Sequence, residues 1–432
     1  MNKKSIRLTP IKYLVIGFVT FLSITIGLFG VQPFETIAQT QDPIIYWNAI
    51  ALATIRDTNT SPQIAARNLA MMHAAIYDAV NAISPTHSVY QVKIQAAKDA
   101  NPEAAAVSAA HQVLSQLYPQ QATQFNNALE ASLGAIAQGQ PKTKGIELGK
   151  VVAEKILAWR KNDGSATELA YTPPDKPGYW QPVPPEFKSA SMPHWKNLKP
   201  FVMKEASQFR ISQMPSLNSA EYTAEFEQTK AIGAKNSTTR TEDQTAIAQF
   251  WLDGKGTITP PGHWNQIAAD LAVRQGNTLP ENARLFALLN IALVDATIID
   301  SDHKYTFNRW RPITAIQKAD TDDNSQTTAE PNWTPLLDTP ASPAYVSGHS
   351  TLGGAADAIL TAYFGKNVNF KTAADPKTNL SARSFDSFTQ AAEEAGMSRV
   401  YGGAHWLSDN RDGLAAGRNL GNYAVQNFLR PL

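Results

Sequence analysis

Three separated clusters in the last third of this 432-residue chain hold the residue types that oxyanion chemistry needs. The first reads Lys304-Tyr-Thr-Phe-Asn-Arg-Trp-Arg311-Pro312, with Lys304 and Arg311 seven residues apart. On a continuous helix that spacing is two turns, so both cations are expected on one face until Pro312 turns the chain away. The second is Val346-Ser347-Gly348-His349, ahead of an apolar stretch from Thr351 to Phe364. A Ser-Gly turn opening a helix offers backbone N–H groups and a positive dipole end to an anion, and His349 beside it can give or take a proton. The third, Ser398-Arg399-x5-His405-x3-Asp409, adds a guanidinium, a second histidine and a carboxylate four residues on. Each cluster alone is commonplace on a solvated edge. In this order the three describe a pocket for a multiply charged anion.

The elements that must position them read as helices. Gln63 to Ile83 sets Leu69, Met72, Ile76 and Val80 at spacings of three and four with alanines between. Ala104 to Leu133 and Thr143 to Arg160 repeat the pattern. Glu281 to Ile299 is apolar nearly all round, which marks a core helix. Thr351 to Phe364 is stopped by Gly365, and a last helix from about Asp409 to Leu429 carries Gly413, Gly417 and Gly421 along one face. Period-two alternation is scarce, so the expected fold is an all-α helical bundle with the site between helices. Tyr171 to Pro185, rich in proline, and Asp253 to Gly262, just before His263 and Trp264, read as ordered binding loops or lids, and Asp320 to Glu330 as a solvated insertion. His263 is a candidate for the entrance. His73 reads as a satisfied core histidine, and His303 should face away from Lys304.

Composition bounds the partners. A formal net charge of +1, with 17% charged residues, gives no general nucleic-acid footprint, so anion affinity must come from a local cluster of cations. Cysteine is absent, which excludes disulfides, thiolate metal sites and a cysteine nucleophile. Lys3, Lys4, Arg7 and Lys12 precede an apolar run from Tyr13 to Val31 and a small-residue exit at Ile37-Ala38-Gln39. Residues 1–38 therefore read as a secretory signal, with an uncleaved single-span anchor as the competing reading. Either way the remainder, 40–432, is expected outside the cytoplasm, periplasmic or secreted, as one helical catalytic unit. No later stretch is expected to have the length and apolarity of a membrane span. Whether copies assemble into a homo-oligomer is left open.

Taken together, K-x6-R-P, S-G-H and S-R-x5-H-x3-D resemble the superfamily shared by vanadium-dependent haloperoxidases and type 2 phosphatidic-acid-phosphatase-like acid phosphatases. ARNLAMMHAAIYDAVNA (66–82) and FWLDGKGTITPPGHWN (250–265) resemble the secreted bacterial haloperoxidase-like branch. One departure is that Val346 stands where the family usually has proline before Ser-Gly-His. The resemblance implies a helical bundle and a vanadate cofactor, in a site that phosphate can also occupy. Lys304, Arg311 and Arg399 would hold the equatorial oxygens, with the Ser347 hydroxyl and Gly348 N–H donating as well. His405 would bond the central atom, Asp409 would orient His405, and His349 would be the acid/base. Asp295 would pair with Arg399. Ser342 falls at a position linked to halide preference. The implied activity is oxidation of halide by hydrogen peroxide, with a small organic molecule as halogen acceptor. Two alternatives stand beside it: an exported acid phosphatase working through a phosphohistidine at His405, and a non-catalytic oxyanion-binding protein.

Overall fold

Local sequence signals set where the helices begin and end. The computed structural model describes residues 42–378 and 380–432, and the candidate export segment lies outside the described residues. Thr40–Leu432 forms one compact unit. Thirteen α-helices and a two-stranded antiparallel hairpin, Phe370–Thr372 (β1) with Arg383–Phe385 (β2), are found among the described residues.

The first five helices are α1 (Pro43–Asp57), α2 (Pro62–Ile83), α3 (Pro102–Leu117), α4 (Ala122–Gly134) and α5 (Gln140–Arg160). Most of these open with proline in the first turn, where its missing N–H and fixed φ cost nothing. The stretch from Ala104 to Leu133, expected as one pattern, is two helices. Pro119 cannot continue α3, and a 3-10 turn over Pro119–Gln121 redirects the chain.

Three helices follow a long irregular connection: α6 (Ala220–Gly233), α7 (Glu242–Phe250) and α8 (Thr259–Gln275). Pro260, Pro261, Gly262 and His263 belong to the first turns of α8, so only the front half of the expected loop is a loop. The 171–185 segment is indeed irregular, and it is anchored. Trp180 is buried, its N–H donates to the Asn308 carbonyl at 2.7 Å, and Trp310 N–H donates to Gly178 at 2.9 Å. The 320–330 segment is less free than expected, because Thr327 and Asp322 are buried and share a 2.8 Å hydrogen bond.

The C-terminal half comprises α9 (Leu279–Phe307), α10 (Pro312–Gln317), α11 (Gly348–Phe364), α12 (Phe388–Tyr401) and α13 (Leu407–Asn427). A capping box between Thr278 and Glu281 starts α9, with Thr278 N–H donating to Glu281 Oε2 at 2.7 Å. Contrary to expectation, this helix has the length and apolarity of a membrane span, but 94% of its most apolar window is buried inside the protein. It is the core helix, packed on α2, α11 and α13. The glycine stripe of α13 lies against α11. A Cβ at Gly417 would sit 2.1 Å from the Thr351 carbonyl oxygen and one at Gly421 2.7 Å from that of Ala355. Only glycine permits this approach.

Candidate active site

The first cluster straddles a helix end. Asn308 takes the left-handed conformation (φ 53°) and terminates α9 four residues after Lys304, which lies in the last turn. Arg311 is the N-cap of α10, so the two cations do not share a helical face as the spacing suggested. The reversal at Asn308 still brings them to one cavity. Ser347 caps α11, its hydroxyl accepting Ser350 N–H at 3.4 Å, so this helix begins three residues earlier than expected. Arg399 comes from the last turn of α12, and His405 and Asp409 flank the start of α13.

One cavity gathers Lys304, Arg311, Ser342, Gly348, His349, Arg399 and His405, together with Asp300. Pro62 and Gln63 of α2, Pro260 of α8, Thr297, Leu352 and Pro340 complete its walls. Ser347 and Asp409 stand behind this lining. Ser347 N–H donates to the Asp409 carbonyl at 3.0 Å, tying α11 to α13 at the site.

His405 has a fixed tautomer. Its Nδ1 bonds Asp409 Oδ2 at 2.9 Å and Arg311 Nη1 donates to its Nε2 at 2.9 Å. Since the guanidinium can only donate, Nδ1 carries the proton and the Nε2 lone pair accepts from Arg311, itself a cavity-lining cation. Asp409 Oδ2 also accepts Trp406 N–H at 3.0 Å, so one carboxylate caps α13 and orients the histidine. Burial pushes the Asp409 carboxyl up to about 6 and, with the cations Arg311, Lys304 and Arg399, holds the His405 imidazole well below its ordinary range.

The three cations are buried, and burial lowers each. Arg311 and Arg399 are pushed down to about 10, still charged at neutral pH, and the Lys304 ammonium is lowered as well. Arg311 is braced by the Ser342 carbonyl at 2.7 Å, the Ser342 hydroxyl at 3.1 Å and the Ala404 carbonyl at 2.8 Å. Lys304 donates to the carbonyls of Ala344 and Val346 and lies 3.0 Å from Asp300 Oδ1. Arg399 differs, since its Nε and Nη1 are buried with no hydrogen-bond partner. His349 Nε2 is likewise unpartnered, while the backbone of Trp251 and Leu252 accepts from its ring. Burial and then Arg399 push the His349 imidazole down to about 3.

Asp295 does not pair with Arg399. Its carboxylate accepts the N–H groups of Phe201 at 2.7 Å and of Val202 and Met203 at 2.8 Å, which fixes that turn from inside the core. The carboxylate whose charge acts on Arg399 is Asp253. His263 is buried away from the entrance, bonded to Asp253 Oδ2 and Thr372 Oγ1 at 3.0 Å each. His73 is a core histidine, bonded to Asn48 at 3.1 Å and stacked on Phe286. His303 faces away from the cavity, accepting Ile211 N–H at 2.9 Å.

Two residues the motifs left unassigned support the site. Arg309, fully buried, donates to Ser408 Oγ at 2.7 Å and Asp409 Oδ1 at 3.1 Å and pairs with Glu225. Glu225 in turn accepts Ser408 N–H at 2.9 Å. The only local signal for Arg309 is its position two residues before Arg311.

The vanadium chloroperoxidase N-terminal domain matches residues 35–187, and the vanadium chloroperoxidase second helical-bundle domain matches residues 284–432. Vanadium chloroperoxidase of Curvularia inaequalis is 27% identical, over 89% of this chain and 82% of that protein. The chain belongs to the vanadium haloperoxidase family. The structure of a bacterial vanadium-dependent iodoperoxidase superposes with a TM-score of 0.78 at 29% identity, covering 90% of this chain and 96% of that one. A bacterial vanadium-dependent chloroperoxidase shares the fold, with a TM-score of 0.69 at 18% identity over 91% of this chain and 94% of that one. Both family domains reach the cavity of this haloperoxidase, the first through Pro62 and Gln63 and the second through the three clusters.

Proposed function

We propose that this chain is a vanadate-dependent haloperoxidase that oxidises halide with hydrogen peroxide, passing the oxidised halogen to a small organic acceptor. One observation carries the site assignment. Arg399 donors and a His349 Nε2, all buried and unpartnered, line one cavity with a His405 whose tautomer makes Nε2 an acceptor, taken up by the Arg311 guanidinium. Buried polar groups are ordinarily paired, so this donor set fits a multiply charged oxyanion with room for one nitrogen ligand. No group of three or more His, Asp or Glu suited to a bare cation occurs among the described residues.

Vanadate bound there supplies a Lewis-acidic centre that activates peroxide toward halide. Lys304, Arg311 and Arg399 hold its charge, and guanidinium suits multidentate oxygen contacts. Gly348 contributes its N–H at the positive end of α11. Ser347 accepts at the N-cap, which leaves its hydroxyl proton free to donate. His405 Nε2 would be the nitrogen ligand, Arg311 turning its N–H from that nitrogen to the anion, and Asp409 keeps the proton on Nδ1. His349 moves protons at its Nε2. The depression of its pKa reflects burial and Arg399, and a bound anion acts with the opposite sign, raising that pKa toward neutrality. Ser342, through its hydroxyl on Arg311, is the residue at the halide-preference position. The basic lead and apolar run before residue 38 support export, and residues 40–432 act as one catalytic unit.

His405→Ala is expected to abolish vanadate binding by the purified protein and vanadate-dependent bromide oxidation together. Retention of both activities would sink the assignment. The phosphatase reading is not favoured by any relative found, and phosphate-ester hydrolysis inhibited by vanadate, measured on the same preparation, is the result that would revive it.

A further inference from the structure

A carboxylate stands among the cations of this pocket, and neither the motifs nor the family resemblance gives it a role. Asp300 lies on α9 one turn before Lys304, is 9% exposed and lines the same cavity as Arg311, Arg399 and His405. Its Oδ2 presses on the Ser-Gly turn: a Cβ placed on Gly348 would lie 3.2 Å from it. Its Oδ1 is 3.0 Å from Lys304 Nζ, yet the buried oxygen accepts no properly directed hydrogen bond. Lys304 aims protons at the carbonyls of Ala344 and Val346 instead. Asp300 therefore sets a buried carboxylate oxygen without a directed hydrogen bond beside the cations of the cavity.

We propose that Asp300 makes this pocket selective for oxyanions that still carry a proton. This rests on the oxyanion reading given above and deepens it. An anion with an O–H can donate to Asp300 while its bare oxygens take the guanidinium and N–H donors. A fully deprotonated anion of the same shape sets lone pair against lone pair in a desolvated site. That contact lacks the hydrogen bond and adds like-charge repulsion. A site built to pair a substrate hydroxyl rejects an analogue without one far more strongly than it rejects a difference of size. At neutral pH vanadate and phosphate carry protons, whereas molybdate and sulfate, tetrahedral oxyanions of broadly similar size, do not.

Competition binding to the anion-free protein at neutral pH tests this with two matched pairs, phosphate against sulfate and vanadate against molybdate. The wild type is expected to favour the protonated member of each pair by about 100-fold, the scale of one charge-assisted hydrogen bond gained against one repulsive contact. Asp300→Asn, whose amide can donate to bare oxygens, is expected to shrink both ratios at least about tenfold. If Asp300 only steers Lys304, Asp300→Asn weakens all four anions in parallel and leaves the ratios unmoved, which overturns the proposal. Equal binding of phosphate and sulfate by the wild type overturns it without any variant, so a misfolded Asp300→Asn protein does not shelter it. Failure of the wild type to bind any of the four removes the oxyanion reading itself, and this inference with it.

Discussion

His405 is held by a chain of buried charges that runs through Asp409 to Arg309 and Glu225. Removing Arg309 would leave two carboxylates in the interior with no counter-charge, while Arg309 itself is 1% exposed. Arg309→Met is therefore expected to lower stability by about 3–5 kcal/mol, the usual cost of breaking a buried pair, as read from urea unfolding. Vanadate affinity should fall with it, because Asp409 then no longer has a fixed direction in which to hold the imidazole. A loss below about 1 kcal/mol would place Arg309 among ion pairs of little consequence. This chain also marks what was legible in the sequence at the residue scale. His405 and Asp409 lie four apart, and that spacing announces their contact. The partner of Arg309 lies 84 residues away on α6, where no local pattern points to it. Asp295 failed for the same reason: its donors are the backbone of an irregular turn 92 to 94 residues distant, and backbone N–H groups leave no trace in residue type.

The elements bring the clusters together through close helix packing. α11 and α13 approach so nearly that the carbonyl of Thr351 occupies the space a side chain at position 417 would need. Gly417→Ala is expected to cost roughly 1–3 kcal/mol by forcing the helices apart, seen as a lower thermal midpoint. Oxyanion affinity should drop too, because the same movement separates Ser347 from Asp409. An unchanged midpoint would mean that the interface yields without strain. The glycine stripe was readable as spacing alone, and the core helix as unbroken apolarity. Helix boundaries were less so. The apolar pattern runs through Pro119 without a break, and Pro260-Pro261 has the composition of a loop although proline is at home in a first helical turn. The end of α9 was misplaced because a left-handed Asn308, with no glycine to advertise it, stops the helix before Pro312 does.

On the scale of the whole molecule, two groups of helices share the long core helix. α2 packs on α9, as do the motif-bearing α11 and α13, and the cavity lies where Pro62 and Gln63 meet the C-terminal clusters. The all-α architecture followed from helical periodicity, and the pocket from three motifs whose order is more informative than any one of them. Which carboxylates serve the cations could not be read from order, since Asp253 acts on Arg399 and Asp300 lines the pocket only through the way the helices pack. The central claim is that this pocket becomes an oxidant of halide when, and only when, vanadate fills it. The most direct measurement is a vanadate titration of the purified, anion-free protein, with peroxide-dependent bromide oxidation recorded at each addition. Activity is expected to rise from background and to saturate at about one vanadate per chain, in keeping with a single nitrogen ligand at His405. Oxidation that is present without vanadate, or that never appears with it, would contradict the account.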